Sequence, residues 1–198
     1  MGILIQRTVP LCRIGRAILW VVLFVPLAGA DSANRRTVSA APEVAKASCV
    51  RLMARETRWP DSAFASAEAP FVIGLLQGQH LQEPLTRLLA KERIHGHPVS
   101  IRTVKSGSDA ENCHLLFAGT QNQDTLKREL RPLQGRAVLT ICEQWEGLDA
   151  GAMITVGIVS DKLRFDLAVA ATEAAGLQVS ADVVELSLSQ GKRKGPTP

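Results

Sequence analysis

The sequence predicts an α/β fold built on an open, mainly parallel sheet, and three patterns lead to it. Apolar runs of about four to six residues, such as Phe71-Val72-Ile73-Gly74-Leu75-Leu76, are too short for helices and read as strands buried on both faces. Amphipathic stretches fall between them, and alternation at this spacing requires parallel strands joined by right-handed crossovers. Past Cys142 the rhythm changes to two apolar runs joined by a short polar turn, the mark of an antiparallel hairpin.

The elements follow in order. Pro42 suits a first helical turn, and residues 43–57 read as a helix with Val44, Ala47, Val50 and Ala54 on one face and Lys46 and Arg55 off it. Trp59-Pro60 ends it. The strand at 71–76 comes next, its exit bracketed by Gly74 and Gly78, and a helix over 81–91 turns Leu81, Leu85, Leu88 and Leu89 inward. Residues 99–104 alternate as a strand, Asp109 and Glu111 mark a short turn or helix, and 114–117 is another buried strand. A helix over 124–133 leads through a turn at Gly135 to a strand at 137–141. Gly147 and Gly151 bound a loop, and 152–159 with 163–167 form the hairpin around Ser160-Asp161-Lys162. The alanine-rich helix at 168–175 stops at Gly176, and Ser180 is placed to cap a last helix over 181–188. Together these make one compact domain, residues 42–188, of Rossmann-like βαβ units with a C-terminal antiparallel hairpin and terminal helices.

The first thirty residues read as an address. Arg7, Arg13 and Arg16 lead an apolar run from Ala17 to Leu27, and Ala28-Gly29-Ala30 offers small residues for cleavage. The run is about eleven residues, short of the ~20 that a spanning helix needs. Residues 1–30 are therefore expected to be a signal peptide cleaved near Ala30, followed by a flexible leader at 31–41. Cys12 lies ahead of the apolar run, which does not indicate a lipoprotein anchor. The formal charge of +4 arises from 23 basic and 19 acidic residues, and losing Arg7, Arg13 and Arg16 leaves the mature chain nearly neutral. No stretch interleaves aromatics with Lys and Arg, so nucleic acid is not the expected partner. The tail at 189–198, with Lys192-Arg193-Lys194, reads as a basic, frayed end.

Export leaves three cysteines, Cys49, Cys113 and Cys142, as candidate redox thiols, since thiols tend to pair outside the cytoplasm. Cys113 opens one expected strand and Cys142 closes the next. On adjacent parallel strands their sulfurs stand roughly 15 Å apart at ~3.3 Å per residue, beyond disulfide reach. Burial as small apolar residues is the competing reading, and pairing through Cys49 stays open.

Searching for chemistry returns weak patterns. His95-Gly96-His97, with His80 and His114 as further ligands, lacks a spacing that completes a zinc site, and a solvated turn accounts for it better. Gly74 and Gly78 match neither phosphate-cradling fingerprint, and turn geometry accounts for them. Ser106-Gly107-Ser108 has no evident His and carboxylate to activate it, and Asp109, Glu111, Glu143 and Glu146 are spaced as exposed loop carboxylates. No catalytic residue, metal or cofactor is assigned. Trp59 and Trp145 remain as contact candidates. Trp59 stands at a helix end; Trp145 follows a parallel strand, at the edge where such sheets bind ligands.

Several segments share an order with a known family. Trp59-Pro60, Phe64 and Ala69-Pro70-Phe71-Val72-Ile73-Gly74 open it, and Cys113-His114-Leu115-Leu116-Phe117 and Val138-Leu139-Thr140-Ile141 follow. Gly151-Ala152-Met153-Ile154, Arg164-Phe165-Asp166-Leu167 and Ala174-Ala175-Gly176-Leu177-Gln178-Val179-Ser180 complete it. The chain resembles the YfiR-like periplasmic proteins across residues 42–188. That resemblance implies a non-catalytic periplasmic repressor that binds the periplasmic region of an inner-membrane diguanylate cyclase, and so controls cyclic di-GMP, biofilm and motility. It also implies an outer-membrane partner able to sequester the repressor, and cysteine redox state linked to repressor integrity. The domain occurs beside sensor kinases too, and a homodimer is compatible with it. Leu52, Glu56 and Asp166 depart from the family pattern, and Cys142 has no cysteine through Met153 with which to close a local disulfide.

The expected function is regulatory binding, with Trp59, Gln77, Gly119 and Trp145 as partner or ligand contacts. The alternative is a small-ligand sensor serving a membrane kinase, with its pocket at the strand ends near Gln77, Gly119 and Trp145.

Overall fold

A computed structural model describes residues 42–190. The segments read as signal peptide and leader, 1–41, lie outside the described residues, as does the tail from 191 onward.

The chain begins with helix α1 (Pro42–Glu56) and a two-residue strand β1 (Thr57–Arg58). Then come β2 (Phe71–Leu76), α2 (Gln82–Leu89), β3 (Arg93–Ile94), β4 (His97–Val104) and β5 (Leu115–Ala118). Next are α3 (Gln123–Leu130), β6 (Leu139–Cys142), β7 (Ile154–Val159), β8 (Lys162–Leu167), α4 (Val169–Ala174), β9 (Gln178–Val179) and α5 (Ala181–Ser189). Seven strands form one sheet in the order β3-β4-β2-β5-β6-β7-β8. From β4 to β7 neighbouring strands run parallel, and β3 and β8 close the two ends antiparallel. This is the mixed, mainly parallel α/β sheet that the apolar runs predict.

Strand periodicity feeds two cores. Phe71, Ile73 and Leu75 of β2, with Leu115 and Phe117 of β5 and Leu139 and Ile141 of β6, face α1, α2 and α5. The alternate residues Leu76, Leu116, Ala118 and Cys142 face Leu126 and Leu130 of α3. Each fully buried Leu contributes about 1.5–3 kcal/mol relative to exposure, which is why strands covered on both faces carry so few polar positions.

Three departures from the sequence reading have local causes. The helix expected over 124–133 ends at Leu130 and tightens into a 3-10 turn, Arg131–Leu133, because Pro132 has no N–H to continue the α-helical ladder. Its start is capped by Asn122, whose Oδ1 accepts from the Thr125 N–H at 2.8 Å. Ser180 occupies the cap position of α5, yet its hydroxyl makes no cap bond and is buried without a partner. Its backbone N–H donates instead to the Glu56 carbonyl at 2.8 Å, fastening the end of α1 to the start of α5. That tie continues the β1–β9 pairing, Thr57 with Val179 and Arg58 with Gln178, which no periodicity announces. The third departure is β3, which forms a tight hairpin with β4 through His95 and Gly96 at φ of 50° and 86°.

Leu115, fully buried, and Leu188, 70% exposed, separate core from surface. Leu115→Ala is expected to cost about 2–5 kcal/mol in urea unfolding, and Leu188→Ala less than about 0.5 kcal/mol.

Candidate functional site

Strands β2, β5 and β6 end level, with Leu76 opposite Ala118 and Ala118 opposite Cys142. The loops that leave them therefore meet at one edge. The chain passes from β2 to β4 on one side and later to β5 on the other, which makes the β2/β5 boundary a topological switch point, the usual ligand crevice of such sheets. Here the two loops touch. The Gly119 N–H donates to the Leu76 carbonyl at 2.9 Å, and a Cβ on Gly119 would fall 2.3 Å from the Gln77 carbonyl oxygen. Gln77 itself turns the chain at φ 52° with its side chain exposed. Gly78 is likewise needed for close approach, since a Cβ there would fall 2.6 Å from the Phe117 ring.

Beside this boundary sits an ionic cluster. Glu143 Oε1 lies 2.7 Å from His80 Nε2 and 3.2 Å from Lys46 Nζ, joining the loop after β6 to the turn after β2 and to α1. The Glu143 side chain is 11% exposed and that of Lys46 18%, so the pair is shielded from water more than a surface bridge. The expectation of an exposed loop carboxylate at Glu143 is thus corrected. Lys46 lies off the buried face of α1 in the helical pattern, but nothing in spacing links residues so far apart in the chain. Around the cluster, Gln144 Nε2 donates to the Gln121 carbonyl and Gln123 Nε2 to the Glu146 carbonyl. Trp145 opens the 3-10 turn Trp145–Gly147 and lies over Gly157 of β7, where a Cβ would meet its ring at 2.4 Å. Gln77, Gly119 and Trp145 therefore share one edge, as the sequence reading places them.

Trp59 stands at the opposite edge, where the parallel strands begin. It is 8% exposed, and its indole N–H donates to the His114 carbonyl at 3.0 Å. Phe71 packs edge-on against it at 4.9 Å between ring centres. Phe64 is sandwiched by His97 at 3.9 Å and His114 at 4.4 Å, and Phe71 lies 5.0 Å from His114. Three of the four histidines weighed as metal ligands hold backbone carbonyls, His95 Nε2 that of Ala54, His97 Nδ1 that of Ala69 and His114 Nε2 that of Ala63, while His80 is taken by Glu143. Among the described residues, no three of His, Cys, Asp or Glu gather to hold a metal ion.

The sequence matches the YfiR/HmsC-like family over residues 43–188. The chain belongs to that family. The YfiR/HmsC-like proteins are known as periplasmic regulators, and the family is regulatory rather than catalytic. No curated protein matches the sequence. A crystal structure of a conserved domain protein from Vibrio cholerae O1 biovar El Tor is similar in fold, with a TM-score of 0.51 at 12% identity. The alignment covers 74% of this chain and 59% of that one, so the chain spans under two thirds of the Vibrio protein's length. Within the described residues of this YfiR/HmsC-like chain, no helix is long and apolar enough to cross a membrane.

The three candidate redox thiols are free and buried. Cys49 lies in the core beneath α1 and Cys142 in the core beneath α3, and burial pushes both thiols up to about 12. Cys113 is also raised by burial, against the pull of Arg102, whose guanidinium donates to its sulfur at 3.4 Å. The thiolate is the reactive form, so all three are held in their unreactive state. Cys113 and Cys142 lie toward opposite ends of the adjacent strands β5 and β6, as the sequence spacing requires.

Native protein at about pH 8 should label at none of Cys49, Cys113 and Cys142 with iodoacetamide, and at all three once unfolded, as read by peptide mass spectrometry. Glu143→Gln should lower stability by about 1–3 kcal/mol, because it leaves a half-buried ammonium without its carboxylate. Urea unfolding at low and high salt checks this; a change within about 0.5 kcal/mol would make the cluster a mere surface pair.

Proposed function

We propose that this chain is an exported periplasmic regulator that represses an inner-membrane diguanylate cyclase by binding its periplasmic region. Family membership across residues 43–188 carries the reading. The basic lead, the short apolar run and the small residues at 28–30 support export with cleavage near Ala30. A protein outside the inner membrane acts on cyclic di-GMP through a partner that spans it, and an outer-membrane protein can compete for the same regulator. Binding that favours the inactive state of the partner shifts its population by the difference in affinity for the two states, without covalent chemistry.

One feature of the C-terminal edge supports this reading. The Trp145 turn and the side-chain amides of Gln123 and Gln144 stand together at the C-terminal edge of the sheet, where Gln144 Nε2 donates to the Gln121 carbonyl and Gln123 Nε2 to the Glu146 carbonyl. A half-buried Trp is a residue type enriched at contact hot spots.

Deleting the gene should raise cellular cyclic di-GMP, and membrane pull-down with the tagged protein should capture a cyclase. Trp145→Ala should weaken that capture by about tenfold or more while thermal unfolding confirms that the variant is folded. Unchanged cyclic di-GMP together with capture of no cyclase would refute the reading.

A further inference from the structure

We propose that His114 is a proton-operated latch: neutral, it fastens the segment at residues 59–70 to the N-terminal edge of the sheet, and acid releases it. The bonds dictate its protonation state. The Val72 N–H points at Nδ1 from 3.0 Å, so Nδ1 is the bare nitrogen, and Nε2–H donates to the Ala63 carbonyl at 3.1 Å. A doubly protonated ring would set an Nδ1–H against the Val72 N–H, donor facing donor, and that bond cannot survive.

The position gives this one bond leverage. The backbone of His114 donates to the Val72 carbonyl at 2.9 Å, and its own carbonyl accepts from both the Leu139 N–H at 2.9 Å and the Trp59 indole at 3.0 Å. Its ring lies between Phe64 and Phe71. The imidazole thus ties Ala63 and Phe64 of the segment to β2, while the backbone of the same residue holds Trp59 and the residue that opens β6. Beside it opens a cleft of about 480 Å³ whose walls include Ala63, Pro70, Val72 and Cys113. Loss of the latch would widen this cleft and uncover the face of Phe64 that stacks on the ring.

The charged and titratable surroundings do not favour an imidazolium. His97 of β4 faces His114 across Phe64 and disfavours a second positive charge when it is itself protonated. Glu111 at the cleft is engaged by Arg136 at 2.9 Å. Cys113 next in the chain is a buried thiol. The ring faces of Phe64 and Phe71 attract a cation, but only weakly beside desolvation and a donor–donor contact. Burial accordingly holds His114 below the ordinary 6.5, opposed by the Ala63 bond and aided by His97. The folded protein therefore binds this proton less readily than the unfolded chain. Attachment is complete above the ordinary value and is lost as pH falls below it. The inference is independent of which membrane partner the protein has.

The test follows His114 and its neighbours by NMR in the purified mature protein between about pH 7.5 and about pH 5. The expected result is an Nε2–H tautomer at the upper end and a protonation midpoint below the ordinary 6.5. At that same midpoint the Val72 amide, which bonds the ring itself, should lose hydrogen-exchange protection, by about tenfold per pKa unit after correction for the intrinsic rate. His114→Asn, whose Oδ1 can accept from Val72 without titrating, should flatten the response. A midpoint at or above 6.5, a change in protection under about threefold, or the same response in a folded H114N would overturn the proposal. Should H114N fail to fold, the wild-type tautomer and midpoint decide by themselves.

Discussion

Everything in this domain hangs on β2 being buried on both faces between β4 and β5. A six-residue strand with no exposed position has nowhere to sit but the middle of a sheet with helices on either side. Its odd-numbered residues commit α1, α2 and α5 to one face, and Leu76 helps commit α3 to the other. Because its neighbours run parallel to it, all their starts fall on one edge and all their ends on the other. The two edges then became chemically different.

The C-terminal edge is polar and cross-braced. Glu143 binds Lys46 and His80, and amides of Gln123 and Gln144 reach carbonyls on other loops. Such bonds are worth little singly in water but fix loops relative to one another when shielded. At the switch point the Gln77 and Gly119 loops approach so closely that a Cβ on Gly119 would fall 2.3 Å from the Gln77 carbonyl oxygen. What the edge presents is a braced, polar surface. The N-terminal edge is aromatic: Trp59, Phe64, Phe71 and three histidines stack or touch, with ring nitrogens spent on carbonyls.

Much of this could be read in the residues. The strand at 71–76 matches residue for residue, the hairpin falls where Ser160 and Asp161 turn the chain at positive φ, and Gly176 ends α4 at φ 73°. Trp145, Gln77 and Gly119 share an edge because parallel strands bring their following loops together. Trp59 did not join them, since a residue just ahead of the first long strand lies at the opposite edge. Lys46, His80 and Glu143 were unreadable as a cluster: each looks like a solvated residue in its own segment, and only packing of α1 over the sheet makes them neighbours.

The sequence alone determined whatever depends on local pattern. Periodicity names strands and helices, short apolar runs require a doubly covered sheet, and the ordered segments from Trp59 to Ser180 point to the YfiR/HmsC-like family. Tertiary structure decided everything that depends on pairs distant in the chain. It set the order of β4, β2 and β5, joined β1 to β9, buried the three thiols apart from one another, and chose the tautomer of His114. The reason is physical: a residue's propensity is written in its own side chain and near neighbours, whereas its charge, protonation and exposure are set by whatever the fold brings against it.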